Sequence, residues 1–291
     1  MEHKAGFANI LGAPNVGKST LMNAMLGQKL SIISPKAQTT RHRILGILNA
    51  EEYQIVFSDT PGIINKPSYK MHEAMMEFVN QALVDADVFM FVTEATQNPD
   101  EVAIPEKLKT TETPVIHVLN KIDLTGQEEI EAKMEKWKTL LPNAQTIPVS
   151  AVKNFNVAKV LMEILNVLPV HPPYYDKDEM SDRSLRFFVS EIIREKILDY
   201  YHQEIPYSCE VQIDEFQEKS DITVIKAVIY VARDSQKSII IGEKGKAIKH
   251  LGIEARKDIE IFLDGRIYLE LFVKVAENWR ENPRQLKRFG Y

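Results

Sequence analysis

The chain has 291 residues, 44% hydrophobic and 26% charged, with a net charge of −5. That length suits about two domains of 100–200 residues, and the balance excludes a mainly disordered chain. Its longest apolar runs, such as Val88 to Val92, fall far short of the ~18 residues of a membrane span. The opening Met1-Glu2-His3-Lys4 lacks the apolar stretch of a secretory signal, so the expected location is the cytosol. A single cysteine, Cys209, excludes an intramolecular disulfide, and histidines without HExxH or HxxxH spacing give little support to a zinc site. The acidic excess lies in residues 1–180. Residues 181–291 are balanced but carry Lys237, Lys244, Lys246, Lys249, Arg256 and Lys257 against only Glu243 and Glu254 between positions 237 and 257. Such a cluster is either a phosphate-attracting surface or a solvated helix face.

Residues 1–168 alternate short apolar strands (Ala8 to Leu11, Gln54 to Ser58, Val88 to Thr93, Val115 to Leu119, Thr146 to Val149) with segments of helical periodicity such as Glu128 to Leu141 and Val157 to Leu168. The alternation predicts βα units: an α/β domain with a mostly parallel sheet and helices on both faces, binding ligands at the C-terminal ends of its strands.

The chemically suggestive motifs fall at those ends. Gly12-Ala13-Pro14-Asn15-Val16-Gly17-Lys18-Ser19 fits GxxxxGK[ST] between a strand and the helix-compatible Thr20 to Leu26, the context of a phosphate-binding loop. Its amides cradle phosphates, Lys18 reaches the β and γ phosphates, and Ser19 offers a hydroxyl to Mg²⁺. Asp59-Thr60-Pro61-Gly62 follows the next strand, where an acid holds the metal's water shell and the Gly62 amide senses the γ-phosphate. Asn120-Lys121-Ile122-Asp123 supplies a carboxylate for the N1–H and exocyclic amine of guanine, a donor pair that adenine lacks. Ser150-Ala151-Val152 brings a backbone amide to the guanine carbonyl. GTP with Mg²⁺ is therefore expected rather than ATP.

This constellation resembles the translation-factor-related GTPases over residues ~5–168. The resemblance places Ser34 to Arg43 in the first switch loop and implies that Thr40, more than Thr39, coordinates Mg²⁺ and reports the γ-phosphate. Lys18, Thr40 and Gly62 then form the catalytic set, with Ser19, Thr40 and (through water) Asp59 holding the metal. One departure concerns mechanism. Ile63 stands where Ras-like enzymes carry a water-orienting glutamine. Hydrolysis is therefore slow, uses backbone groups, or borrows help. Asn15 resembles the asparagine that ligates K⁺ in some related GTPases; the alternative is that it only shapes the loop.

Pro169-Val170-His171-Pro172-Pro173 breaks the last helix, and residues 169–183 read as a linker. Residues 184–291 follow another order. Leu185 to Tyr201 is an amphipathic helix, Tyr207 to Phe216 and Thr223 to Val231 are strands, and Ser238 to Ile241 leads into Gly242-Glu243-Lys244-Gly245. A helix to Phe262, a strand from Arg266 to Val275 and a short C-terminal helix complete an α+β domain. The GxxG turn and this α-β-β-α-turn-α-β order resemble the type II KH fold, which clamps about four nucleotides of single-stranded RNA. RNA contacts are expected from Ile241, Gly242, Glu243, Lys244, Gly245, Lys246, Ile248 and Lys249. The isoleucines either floor the base site or belong to the core.

Together, the Asn15-containing loop, Ser34 to Arg43, the motifs at residues 59 and 120, Asp182-Arg183, Ser190 to Lys196, Gly242 to Gly245 and Gly252 to Asp258 resemble the Era family of GTPases over nearly the whole chain. The resemblance implies a GTP/GDP switch that binds the 3′ end of small-subunit ribosomal RNA and the 30S precursor. It also implies a cytoplasmic, monomeric protein with peripheral contact at the inner membrane face. The alternative is a GTP-regulated RNA-binding or membrane-associated signalling module whose hydrolysis is incidental.

Overall fold

The computed structural model describes residues 2–291; Met1, where the expected first domain begins, lies outside them. The chain divides into two compact units. The first comprises residues up to Ile33, Thr40–Lys66 and Met75–Asp182. The second comprises Ser34–Thr39, Pro67–Ala74 and Arg183–Tyr291.

In the first unit, β1 (Lys4–Leu11), β2 (Ile44–Asn49), β3 (Tyr53–Asp59), β4 (Val88–Glu94), β5 (Val115–Asn120) and β6 (Ala144–Pro148) form one sheet in the order β2-β3-β1-β4-β5-β6. All pairs are parallel except β2 with β3. Helices α1 (Lys18–Leu26), α3 (Glu106–Thr110), α4 (Gln127–Leu140) and α5 (Val157–Val167) complete it, with the part of α2 (Lys70–Ala82) from Met75 onward. The period of two along β4 and β5 divides their side chains between two cores. Phe89, Phe91, Val115 and Leu119 join Val79, Ala82, Leu108 and Trp137 from α2, α3 and α4. The opposite face carries α1 and α5. The mostly parallel α/β expectation is met.

Strand β2 has no counterpart in the sequence reading. Gly46 interrupts its apolar pattern; it stands where strand propensity disfavours glycine, and a β-carbon there would come within 2.6 Å of Leu26 Cδ1 on α1, so that the side chains of α1 would have to shift to admit one. The stretch expected as a linker is bound along this strand and to its neighbour β3. Ile47 N donates to Met180 O (2.9 Å), Ser181 Oγ to Leu45 O (2.5 Å), and Gln54 Nε2 to Tyr175 O (2.8 Å). These bonds cover an edge that would otherwise present unpaired backbone groups.

The second unit contains α6 (Leu185–Tyr200), α7 (Ile205–Ser208), β7 (Cys209–Glu218), β8 (Thr223–Val231), α8 (Asp234–Ile241), α9 (Lys246–Phe262), β9 (Ile267–Val275) and α10 (Pro283–Phe289). Its sheet runs β7-β8-β9, antiparallel then parallel. Ile225, Ala227, Ile229 and Val231 point alternately inward to meet Leu251, Ala255 and Ile259, one i, i+4, i+8 stripe of α9. Full burial of each large side chain in this stripe contributes about 1.5–3 kcal/mol. This is the type II KH arrangement expected. The C-terminal segment is tied down by Trp279 Nε1 donating to Ser208 O (3.0 Å) and Tyr291 O–H to Glu210 Oε2 (2.9 Å).

Candidate nucleotide site and nucleic-acid interface

The loop after β1 needs its glycines for two separate reasons. Gly12 (φ +151°) and Gly17 (φ +95°) adopt backbone that side chains rarely permit. Added β-carbons would also lie 2.2 Å from Val92 O and 2.3 Å from Asn120 Nδ2. Asn15 stands at the tip with φ +64°. Lys18 is buried and donates to the carbonyls of Gly12 (3.2 Å) and Ala13 (2.9 Å), so it folds back over the loop. Burial lowers its pKa to about 8, a shift opposed by Asp59. Burial likewise raises the pKa of Asp59, against the hydrogen bond from Ser19 and the charge of Lys18.

The residues expected to hold the metal converge. Ser19 Oγ donates to Asp59 Oδ2 (2.6 Å) and lies 2.9 Å from Thr40 Oγ1, which is 3.5 Å from the same carboxylate oxygen. Asp59 Oδ1 is buried with no hydrogen bond of ordinary length. Two hydroxyls, a buried carboxylate and its spare oxygen form an all-oxygen donor set that suits Mg²⁺. Thr39 is as buried as Thr40, but its hydroxyl is committed to Lys36 O (2.7 Å).

The motif after β3 divides its tasks. Thr60 Oγ1 donates to Ile10 O (2.6 Å), fastening the loop to β1 rather than facing a ligand. Gly62 lies against Pro14, where a β-carbon would be 2.6 Å away. Ile63 N donates to Gly12 O (3.1 Å), while its side chain packs onto the Leu11–Phe91 core. It therefore offers no polar atom to a water.

At the base-recognition end, Asn120 braces two loops: Nδ2 donates to Val16 O (2.9 Å) and Oδ1 accepts from Ala151 N (3.1 Å). Ser150 Oγ donates to Asp123 Oδ1 (2.6 Å), fixing the carboxylate. Ile122 packs inward, and its N–H donates to Val149 O (3.3 Å). Lys121, in the left-handed region, pairs with Glu94, while Val152 is 74% exposed. Glu94 escaped the sequence reading because nothing local marks the end of β4 as Lys121's neighbour.

In the second unit, the GxxG turn joins α8 to α9. Gly242 (φ +70°) and Gly245 (φ +76°) flank the exposed Lys244, itself at φ +52°. Beside it, a groove of about 340 Å³ is lined by Ile248, Lys249, Gly252, Ile253, Arg256, Tyr268, Leu269 and Leu271. Sequence reasoning found the turn, Ile248 and Lys249, and named Arg256 in the basic cluster and the segment from Gly252, but did not connect them with Tyr268, Leu269 and Leu271. Their signal is divided between α9 and β9, and only the fold brings the two together. Of the isoleucines before the turn, Ile240 belongs to the core and Ile239 is exposed. The basic cluster is weaker than its composition suggested. Arg256 pairs with Glu260 (3.0 Å) and Lys257 with Glu254 (2.6 Å), so of the cluster the field rests mainly on Lys237, Lys244, Lys246 and Lys249.

Residues 7–121 match a family described as 50S ribosome-binding GTPases, and residues 204–280 match the KH domain. The chain is 45% identical over 290 residues to the GTPase Era of Geotalea daltonii, covering 99% of this chain and 97% of that relative. It is 46% identical over 294 residues to a chloroplastic Era-like GTPase of Oryza sativa subsp. japonica, covering 99% and 70%. A crystal structure of Era with MgGDPNP and nucleotides 1506–1542 of 16S ribosomal RNA superposes with a TM-score of 0.94 at 39% identity, with 99% of both chains covered. A variant of Aquifex aeolicus Era bound to GDP·AlF4− gives 0.93, with the same identity and coverage. With its phosphate loop, base-recognition motif and KH turn all in place, this chain belongs to the Era family of GTPases.

Proposed function

We propose that this protein is a GTP-hydrolysing switch that binds single-stranded small-subunit ribosomal RNA near its 3′ end and acts in 30S maturation. Residues 1–168 serve as the GTP-binding domain, residues 169–183 as the connection and residues 184–291 as the RNA-binding domain. The observation that carries the reading is the convergence of Ser19, Thr40 and Asp59 beside Lys18, an oxygen-donor set that suits a metal-bound nucleotide in the loop. The relatives' complexes with MgGDPNP and with 16S ribosomal RNA support it.

In this reading Ser19 and Thr40 hold Mg²⁺ directly and Asp59 holds it through water; the ion offsets negative charge on the phosphates. Lys18 and the loop amides stabilise charge growing between the β and γ phosphates, and the Gly62 amide faces the γ-phosphate. Water attacks the γ-phosphorus and the bond to the β–γ bridging oxygen breaks, leaving GDP and phosphate. Ile63 cannot orient that water, so backbone groups do; Asn15 is the residue that would hold K⁺, which would supply further positive charge at the phosphates. The protein acts as a cytoplasmic monomer with at most peripheral contact at the inner membrane face. No helix among the described residues is long and apolar enough to cross a membrane.

Crosslinking in cells, followed by sequencing of the attached RNA, tests the proposal. Reads concentrated at the 3′ end of small-subunit ribosomal RNA support it. Reads spread over unrelated transcripts overturn it.

A further inference from the structure

Ser34–Thr39 is grouped with the second unit although its neighbours in sequence belong to the first. Its attachments are specific. Arg194 on α6 is 1% exposed and forks onto Glu191, with Nε to Oε1 at 2.7 Å and Nη2 to Oε2 at 2.6 Å. The same Nη2 donates to the Thr39 carbonyl. A buried ion pair is a poor source of stability, since apolar residues of similar volume would serve as well. The bond to Thr39 gives this one a second use. Lys36 Nζ donates to the carbonyls of Leu198 and Tyr201 (2.5 Å to the latter) at the end of α6, where helix carbonyls lack partners and attract a cation. Tyr69, from the other segment grouped with this unit, donates to Gln38 Oε1 (3.3 Å) beneath the guanidinium of Arg280, which lies 4.6 Å from the ring centroid.

The Thr39 carbonyl and the Thr40 amide share one rigid peptide plane. Fixing the carbonyl therefore fixes the direction in which Thr40 leaves the segment, and Thr40 Oγ1 lies 2.9 Å from Ser19 Oγ. We propose that Arg194 is a positioning residue for GTP hydrolysis. By holding the Thr39 carbonyl, with Lys36 docked on the end of α6, the second unit sets how Thr40 engages the metal and γ-phosphate. The inference rests on the reading of Thr40 as that ligand. Discrimination between triphosphate and diphosphate is then set partly by residues of the RNA-binding half.

The full-length protein tests this with three variants. Glu191→Gln with Arg194→Met removes both buried charges together, Lys36→Met releases the other anchor, and Thr40→Ala serves as reference. Affinity for GDP, affinity for a non-hydrolysable GTP analogue with Mg²⁺, and single-turnover hydrolysis are measured alongside thermal unfolding. The first two variants should weaken analogue binding or slow hydrolysis by about 5- to 100-fold, with GDP affinity and unfolding midpoint unchanged. Arg194→Lys, which keeps the charge but not the fork, should fall between. Should the paired variant unfold early, Lys36→Met decides alone. If Thr40→Ala loses analogue affinity while Lys36→Met and a folded paired variant match wild type, the positioning role is overturned and the Thr40 assignment stands. If Thr40→Ala changes nothing, the assignment fails and the inference with it.

Discussion

Asp123 and Asn120 share the end of β5 but have different tasks: Asn120 is spent on bracing Val16 and Ala151, whereas Asp123 is held by Ser150 with its carboxylate available to a base. Replacing Asp123 by Asn should therefore lower GTP affinity by about a hundredfold, the cost of two bonds to a charged acceptor. It should also shift preference toward xanthosine triphosphate, whose carbonyl replaces the exocyclic amine and accepts from an amide side chain. Competition binding with the two nucleotides checks this; unchanged discrimination removes Asp123 from the base site. Asn15 and Ile63 motivate a second expectation: with GTP saturating and ionic strength matched, hydrolysis should run faster in K⁺ than in Na⁺. Equal initial rates would leave Asn15 a loop-shaping role. His117 belongs to the scaffold. Fully buried on β5, it lies between Thr93 Oγ1 (2.9 Å) and Thr146 Oγ1 (3.1 Å), with its ring 4.2 Å from that of Trp137. Burial lowers its pKa to about 3, below the ~6.5 of an unfolded chain. Unfolding therefore takes up a proton between those values. His117's contribution is complete above about pH 6.5 and is lost as pH falls toward 3, by at most ~1.4 kcal/mol per pH unit. Its imidazole NMR signal should stay neutral at pH 5; a midpoint near 6.5 would contradict the burial argument.

The turn between α8 and α9 depends on the backbone of Gly242, at φ +70° and ψ 176°, a region essentially reserved for glycine. A β-carbon there would also stand 2.5 Å from Ala247 Cβ at the start of α9. Gly242→Ala should destabilise the second unit by about 1–3 kcal/mol and weaken RNA binding, while GTP affinity is retained. Calorimetry and nucleotide titration on the same sample check this; an unaltered unfolding profile would show that the turn relaxes without cost. This turn was readable from four adjacent residues, as was the phosphate loop, because each motif packs its backbone requirement and its chemistry into one short stretch. Strand β2 was not readable, since Gly46 interrupts its apolar pattern. Tyr268 and Leu271 carry no local mark of a groove; they acquire that role only when β9 pairs with β8 beneath α9. Arg194 and Thr39 lie far apart in sequence, and the Thr39 carbonyl belongs to the backbone, so side-chain identity gave no warning of their bond. Sequence carries contiguous chemistry well and leaves long-range partners to the fold.

The molecule as a whole couples two chemistries only if events at the RNA surface reach the nucleotide. The second unit includes Ser34–Thr39 and Pro67–Ala74 as well as the KH fold, and within it Arg194 on α6 is hydrogen-bonded to the carbonyl of Thr39, the residue bonded to Thr40, while Arg280 lies over Tyr69, the residue before α2. Replacing Glu243 and Lys244 together by Asp keeps both turn glycines but turns a neutral pair into two negative charges at an exposed tip. RNA binding should weaken, and the slope of log affinity against log salt should become shallower by about 0.7 for each lost phosphate contact on a single strand. Each variant's own turnover without RNA is the baseline for its stimulation by RNA. If binding at the turn drives hydrolysis, stimulation and binding should disappear together, and higher RNA concentration should restore both in parallel. Wild-type affinity for single-stranded RNA in the double variant would refute the KH assignment of this turn. Loss of RNA affinity with full RNA-dependent stimulation would place the sensing surface elsewhere. Arg43, the last residue of the first switch segment, is then the residue to replace next: its Nη1 and Nη2 pair with Asp85 at 2.6 and 2.9 Å and its Nε donates to Ser58 Oγ at 2.7 Å, so RNA would have to compete with a formed ion pair. Such competition predicts that Asp85→Asn strengthens stimulation in that case and leaves it unchanged if the turn is the sensor.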